Sequence, residues 1–209
     1  MASNVNFKNH LLRFQKFHNC YYGIRHAESK ANVGGYIASN IKTQTHVGLT
    51  ELGQKQVLLA SKQYFHFFKS SPLIISSDFC RTRETAQVLM RNLPDVGIEY
   101  IENIKLRERF FGEYDGLSAN FYEPVWNEGI DYSEKGIESV NSVLDRTTSL
   151  ILDLEHQYVN RSIFLVSHGD PLLILEAGIK QMEVSRFREL KYFDNAEIRE
   201  LIVSQCPNG

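Results

Sequence analysis

Apolar residues along this chain follow two rhythms in alternation, short continuous or every-second-residue runs and longer stretches that repeat every three to four positions, which predicts strands and helices in turn. Tyr21 to Ile24 and Ile163 to Val166 are the most apolar runs and read as strands buried on both faces of a sheet. Each leads into a histidine, His26 directly after Arg25 and His168 directly after Ser167. A Gly-rich loop is expected at Gly34-Gly35. Thr50 is placed to cap a helix in which Val57, Ala60, Tyr64, Phe67 and Phe68 form an apolar stripe. Pro72 opens a second strand, Leu73 to Ile75, ending in Ser76-Ser77-Asp78, and a helix bearing Ala86 and Leu89 begins near Arg81. Ile98 to Ile101 alternate as a third strand. A loop-rich insert from Leu106 to Gly136 comes next, then a long helix with Ile137, Val140, Leu144, Ile151, Leu154 and Tyr158 inward. Asp170 and Pro171 read as cap and first-turn residue of the helix after His168. A last alternating strand, around Ile198 to Val203, closes an edge. The pattern predicts an α/β fold, a three-layer α/β/α sandwich around a mostly parallel central sheet. Such sheets bind ligands at the carboxyl ends of their strands, so both histidines are expected to face one substrate.

Length and charge narrow the setting. The 209 residues suit one domain over 20–209, with the insert at about 106–136, preceded by an extension, 1–19. The extension is expected to be helical and to pack on the core, because Leu11, Phe14 and Phe17 share one helical face. A formal net charge of -2 gives no electrostatic footprint for nucleic acid or an anionic membrane surface, so neither is expected as a partner. Cys20, Cys80 and Cys206 are odd in number and lack a C-x-x-C or metal-ligand spacing, which suits a reducing compartment without disulfides. No apolar run has the length of a signal-peptide core or a bilayer span, and a cytoplasmic location is expected. The seven histidines contain no H-x-H or H-E-x-x-H grouping, so no metal or other cofactor is expected.

Four blocks in order carry the chemistry: Arg25-His26-Ala27-Glu28-Ser29 continuing to Asn32; Ser77-Asp78-Phe79-Cys80-Arg81 with Thr85-Ala86; Leu106-Arg107-Glu108-Arg109 with Gly112 and Gly116; and Ser167-His168-Gly169. The first resembles R-H-G-E-S-x-x-N and the second S-x-L-x-R-x-x-x-T-A of the histidine phosphatase superfamily, which includes cofactor-dependent phosphoglycerate mutases and many small-molecule phosphatases. The resemblance runs from about Cys20 to Leu175 and implies a phosphoglycerate mutase-like fold. Ala27 departs from the family's glycine by one methyl at a close-packed turn, a change not expected to abolish activity.

A phosphate monoester is a dianion that must be neutralised before anything attacks it. Arg25 and Arg81 suit this, since each guanidinium offers a planar fork of donors and keeps its charge. His26 can attack phosphorus through a neutral ring nitrogen, provided its other nitrogen donates to a backbone carbonyl. The resemblance assigns the nucleophile to His26 and implies a phosphohistidine, with His168 as a charged donor to the transferring group. It further implies Glu108 as the acid that protonates the departing alkoxide and Asn32 as an amide donor to phosphate. Backbone donors near Gly169 are also candidates for a phosphate oxygen. Duller readings stand beside these: a salt bridge of Glu108 to Arg107 or Arg109, a capping role for Asp170, a loop-shaping role for Glu28 and Ser29. The aromatics Phe110, Phe111, Tyr114, Phe121, Tyr122, Trp126 and Tyr132 read as packing of the insert or as a pocket roof.

The expected reaction is metal-independent hydrolysis of a small phosphorylated metabolite. The mutase alternative is disfavoured because the interval from Glu108 to His168 is short and, past Arg109, holds only Lys135, Arg146 and Arg161 as cations, and because Ala31 and Asp170 stand where mutases tend to have Trp and Asn. A non-catalytic phosphate-binding or scaffolding module is the alternative of another class. The loop from Val33 to Gly48 and the aromatic insert are expected to select the substrate.

Overall fold

The computed structural model describes residues 8–12, 14, 16–42, 46–68, 71–93 and 97–202. In chain order they form β1 (Cys20–Arg25), α1 (Lys30–Gly34), α2 (Glu51–Tyr64), β2 (Leu73–Ser76), α3 (Cys80–Arg91), β3 (Glu99–Glu102), α4 (Tyr122–Trp126), α5 (Val140–Gln157), β4 (Ser162–Ser167), α6 (Gly169–Ile179) and β5 (Ile198–Ile202), with short 3₁₀ turns between several of them. The strands lie in the order β3-β2-β4-β1-β5. The first four positions pair in parallel, and β5 runs antiparallel to β1 at the edge.

Alternation along each strand sorts its side chains between two faces. Tyr22, Ile24, Ile74, Phe164 and Val166 pack against Val57 and Ala60 of α2 and Ala86 and Leu89 of α3. On the opposite face, Tyr21, Leu73, Ile75, Ile163 and Leu165 meet Leu150, Ile151 and Leu154 of α5 and Leu175 of α6. These are the three layers that the sequence pattern predicts. β4 lies between β2 and β1, and its four apolar residues are fully buried. Each such side chain contributes roughly 1.5–3 kcal/mol relative to exposure, so the strand that ends at His168 is anchored along its whole length.

Local signals set the element ends. The Thr50 hydroxyl accepts from the Gly53 amide at 2.9 Å and caps α2, as expected. Ser139 does the same for α5, accepting from Ser142 at 3.0 Å, so that helix starts three residues after Ile137. The third strand is Glu99–Glu102 instead of Ile98–Ile101, because its register with β2 pairs Leu73 with Glu99. The stretch before Gly34-Gly35 is a short helix and not a plain loop. Ser29 and Asn32 close a capping box at its start, and Gly35 ends it in the left-handed region at φ 63°.

Two expectations fail. Among the described residues of the extension there is no helix: residues 10–12 form a turn, and the Phe14 amide donates to the Leu11 carbonyl at 2.9 Å. The polar groups here bond outward instead, Asn9 Nδ2 to the Gly178 carbonyl at 2.8 Å and the His10 amide to Thr148 Oγ1 at 3.2 Å. Leu11 still enters the core beside α5. Cys20 is disulfide-bonded, so the reading of reduced thiols does not hold for it, whereas Cys80 is free. Among the described residues no helix is long and apolar enough to cross a membrane.

Candidate active site

Parallel pairing of β1 with β4 sets Arg25 opposite Ser167, so both strands end level. The His26 amide donates to the Ser167 carbonyl at 3.0 Å, and the His26 and His168 rings meet edge to face at 5.3 Å. β2 lies on the other side of β4, and the turn after it starts α3 with Arg81 in its first turn. Three chain-distant blocks therefore converge because three neighbouring strands stop at the same height. The Ala27 amide bonds Thr85 Oγ1 at 3.2 Å and ties the first block to the second. The extra methyl of Ala27 is wholly buried in the core beside Leu49 and Ala86.

Arg25 and Arg81 are each held by one end and left with an unmet donor at the other. Arg25 Nη1 donates to the Phe193 carbonyl at 2.7 Å, while its Nε is buried without a hydrogen-bond partner. Arg81 Nη2 donates to the Ala38 carbonyl at 3.0 Å, and its Nη1 is likewise buried and unpartnered. Buried cationic donors without acceptors are costly, and an anion relieves that cost.

The two histidines differ in what they can do. His26 Nδ1 lies 2.8 Å from the Ala27 carbonyl and must donate there, which leaves Nε2 as the lone-pair nitrogen. Burial, then the charges of Arg81 and Arg25, holds this ring well below the usual imidazole range. His168 departs from expectation. Its Nδ1 is 2.9 Å from Arg81 Nη2, and a guanidinium only donates, so Nδ1 accepts and the proton sits on Nε2, 3.1 Å from Ser77 Oγ. Burial and Arg81 hold His168 also far below the imidazole range, so it is a neutral ring that orients Arg81 and not the charged donor that was expected.

Glu108 enters from the loop after β3, which is pinned on several sides. Ser167 Oγ bonds the Leu106 carbonyl at 2.7 Å, and Arg146 Nη2 bonds the Glu108 carbonyl at 3.3 Å. Arg107 is engaged bidentately by Asp78, and Arg109 is buried, its Nε on the Glu138 carbonyl at 2.8 Å. Neither neighbour therefore takes the Glu108 carboxylate in a salt bridge. Its Oε2 lies 4.0 Å from Arg81 Nη2 and 3.8 Å from His168 Nδ1, and Oε1 accepts the Arg109 amide at 2.9 Å. Burial, with the charge of Asp170 added, outweighs the pull of Arg81 and pushes this carboxyl up to about 7.

Arg25, His26, Arg81 and Glu108 line one cavity of about 500 Å³, together with Asn32 and Gly169. His168 lies fully buried directly behind Arg81. Asn32 Oδ1 accepts from the Ser29 amide at 3.0 Å and the Ser29 hydroxyl at 2.9 Å, so this carbonyl is spent on the loop and the amide nitrogen is the end left to meet a ligand. Glu28 accepts from Thr50 Oγ1 at 2.6 Å and fastens the same loop to α2. Asp170 is not the helix cap; His168 holds that position with extended backbone, and Asp170 follows in the first turn. Its Oδ1 accepts from Arg188 Nη2 at 2.7 Å, and its Oδ2 lies 3.8 Å from Arg109 Nη1.

The far wall combines expected and unexpected groups. Phe111, Tyr122 and Trp126 of the insert line the cavity, and so do Tyr36, Arg188 and Tyr192. Sequence reasoning missed Arg188 and Tyr192, which come from the irregular stretch between α6 and β5. The density of basic and aromatic residues there, from Arg186 to Phe193, is the signal that was available. Among the described residues, no three His, Cys, Asp or Glu side chains are grouped to hold a metal ion.

Comparison with known proteins places this geometry in context. A model of the histidine phosphatase superfamily (branch 1) matches residues 21–207. A 2,3-bisphosphoglycerate-dependent phosphoglycerate mutase of Rhizobium etli is 23% identical over 171 residues, covering 77% of this chain and 80% of that protein. An acid phosphatase of Mycobacterium tuberculosis is 33% identical over 132 residues, 60% of each chain. Among solved structures, a mycobacterial glucosyl-3-phosphoglycerate phosphatase bound to VO3 superposes with a TM-score of 0.73 at 26% identity, over 86% of this chain and 90% of that one.

Proposed function

Because this chain belongs to the histidine phosphatase superfamily, we propose that it hydrolyses phosphate monoesters of small metabolites through a phosphohistidine on His26. The observation that carries this reading is that Arg25 and Arg81, each with one buried guanidinium donor unmet, line the same cavity as a neutral His26 whose Nε2 carries the lone pair. The arginines bind and neutralise the phosphate. His26 Nε2 attacks phosphorus in line, and the Nδ1 contact with Ala27 stabilises the ring as positive charge builds on it. Glu108 is protonated to about 7 and gives its proton to the departing alkoxide. The same carboxylate then takes a proton from the water that cleaves the phosphohistidine. His168 holds Arg81 at its working angle, and Asn32 and the backbone at Gly169 add donors to the phosphate oxygens.

A mutase reading is favoured by the phosphoglycerate mutases among the relatives. Against it, the four cations of the segment between Glu108 and His168 are committed elsewhere: Arg109 to the Glu138 carbonyl and Asp170, Lys135 to the Tyr114 hydroxyl, Arg146 to Glu138 and Arg161 to Glu99. None lines the cavity to retain a phosphorylated intermediate. Release of phosphate from phenyl phosphate, with a chelator present and no added metal, tests the proposal directly. Turnover is expected, and its absence would identify a binding module. Interconversion of 3-phosphoglycerate, primed with its bisphosphate, faster than its hydrolysis would favour the mutase.

A further inference from the structure

Charge around the cavity roof does not balance. The single carboxylate of Asp170 is shared by two guanidiniums, with Arg188 Nη2 at 2.7 Å from Oδ1 and Arg109 Nη1 at 3.8 Å from Oδ2. Arg109 finds no second anion, since its Nε meets the neutral Glu138 carbonyl at 2.8 Å. The carboxylates close by in the chain are engaged elsewhere, Glu138 by Arg146 at 2.7 Å and Glu189 by Arg186 at 2.6 Å. Glu108, the other acid lining the cavity, is uncharged in the form that donates a proton. One positive charge is therefore left over, beyond the two on Arg25 and Arg81 that match a phosphate dianion.

Arg188 is where that surplus meets the cavity. Its side chain lines the cavity and is 26% exposed, whereas Arg109 is buried. Its Nε is buried and its Nη2 is given to Asp170, so Nη1 is the donor that keeps open surface and has no acceptor. The guanidinium lies 3.9 Å over the Trp126 ring while Asp170 fixes its rotation, which leaves little ordering to be done when a ligand arrives. It also stands beyond Leu175, outside the blocks on which the family resemblance rests.

We propose that Arg188 forms a second anion subsite, which selects phosphate esters whose leaving alcohol carries a carboxylate over esters of uncharged alcohols. This rests on the phosphatase reading for which end of the substrate lies where. A carboxylate accepts from Nη1 in a charge-assisted hydrogen bond and takes up the single surplus charge.

Two matched pairs of esters probe it at two distances from the phosphate: 6-phosphogluconate with glucitol 6-phosphate, and 3-phosphoglycerate with glycerol 3-phosphate. Within each pair a terminal carboxylate replaces CH₂OH. Titration of the His26→Ala protein reads the subsite without turnover. In at least one pair the carboxylate ester is expected to bind about tenfold more tightly, and Arg188→Gln in the same background should remove that gain while leaving the uncharged ester within about twofold. Asp170→Asn should act in the opposite direction and widen the preference, because the guanidiniums lose their shared counter-charge; a purely structural defect would weaken both esters. Absence of a preference in both pairs overturns the subsite, as does a preference that survives Arg188→Gln. Equal weakening of both esters by Arg188→Gln would put this side chain on the transferring phosphate and overturn it too. Turnover of phenyl phosphate by the unmodified protein is read separately: its failure removes the phosphatase reading, while the binding ratios still decide the subsite.

Discussion

The floor of the cavity, where we place the phosphate, and the opposing roof are built by different means. Floor groups stand at the ends of neighbouring parallel strands, where the register of β1 with β4 leaves Arg25 and His168 little freedom. Roof groups come from 3₁₀ turns and a five-residue helix, held by side-chain contacts such as Tyr122 on Phe111 and Arg188 on Asp170. A reaction common to many substrates needs the first kind of support, and selection among substrates tolerates the second. Substitutions on the floor should therefore reduce turnover of every ester, and those on the roof should re-rank esters.

His26→Ala should show the contrast most strongly, lowering kcat by about 10⁴-fold or more for all esters and abolishing covalent labelling by a phosphate donor. Retained labelling would move the nucleophile elsewhere. Arg81→Lys keeps the charge but loses the fork that reaches both phosphate and His168, and a loss on the order of a thousandfold in kcat/KM is expected for every ester. Glu108→Gln should slow alkyl esters by about a hundredfold and aryl esters much less, since only a poor leaving group needs the proton. Equal slowing of both would end the acid assignment. Because the proton donor works in its protonated form, kcat for alkyl esters should fall as pH rises through about 7, and the Gln variant should lose that limb. The acidic limb belongs to His26 and should lie below the usual imidazole range.

The smallest effect expected links the two regions. A Cβ on Gly169 would overlap the Tyr192 hydroxyl, the far end of a movable side chain. Gly169→Ala should then raise KM by roughly threefold to tenfold with kcat nearly kept, and Tyr192→Phe in the same protein should restore part of it. Failure of the second change to help would mean that the glycine is required by the floor itself.

The legibility of the molecule divides along the same line. Apolar runs at Tyr21–Ile24, Leu73–Ile75 and Ile163–Val166 identify strands because burial on both faces demands them, and the residues following such runs inherit a position. Arg25, His26 and Arg81 line one cavity for that reason, with His168 behind them. The turn at the amino-terminal extension was not legible, since the groups that outcompete a helix there, Thr148 and Gly178, lie far along the chain. Nor was the charge state of His168, which is set by burial first and then by its contact with Arg81. Arg188 and Tyr192 sit in a stretch without periodicity, and only tertiary packing carries them to the cavity.

The anchoring of Arg25 by the Phe193 carbonyl couples the site to the rim of the sheet. The tether lies 168 residues along the chain from the guanidinium it steadies, just ahead of the antiparallel edge strand β5. Fraying of that edge would release Arg25 while β1 and β4 stay paired beneath the two imidazoles. Local opening there therefore silences the site before the sheet itself comes apart.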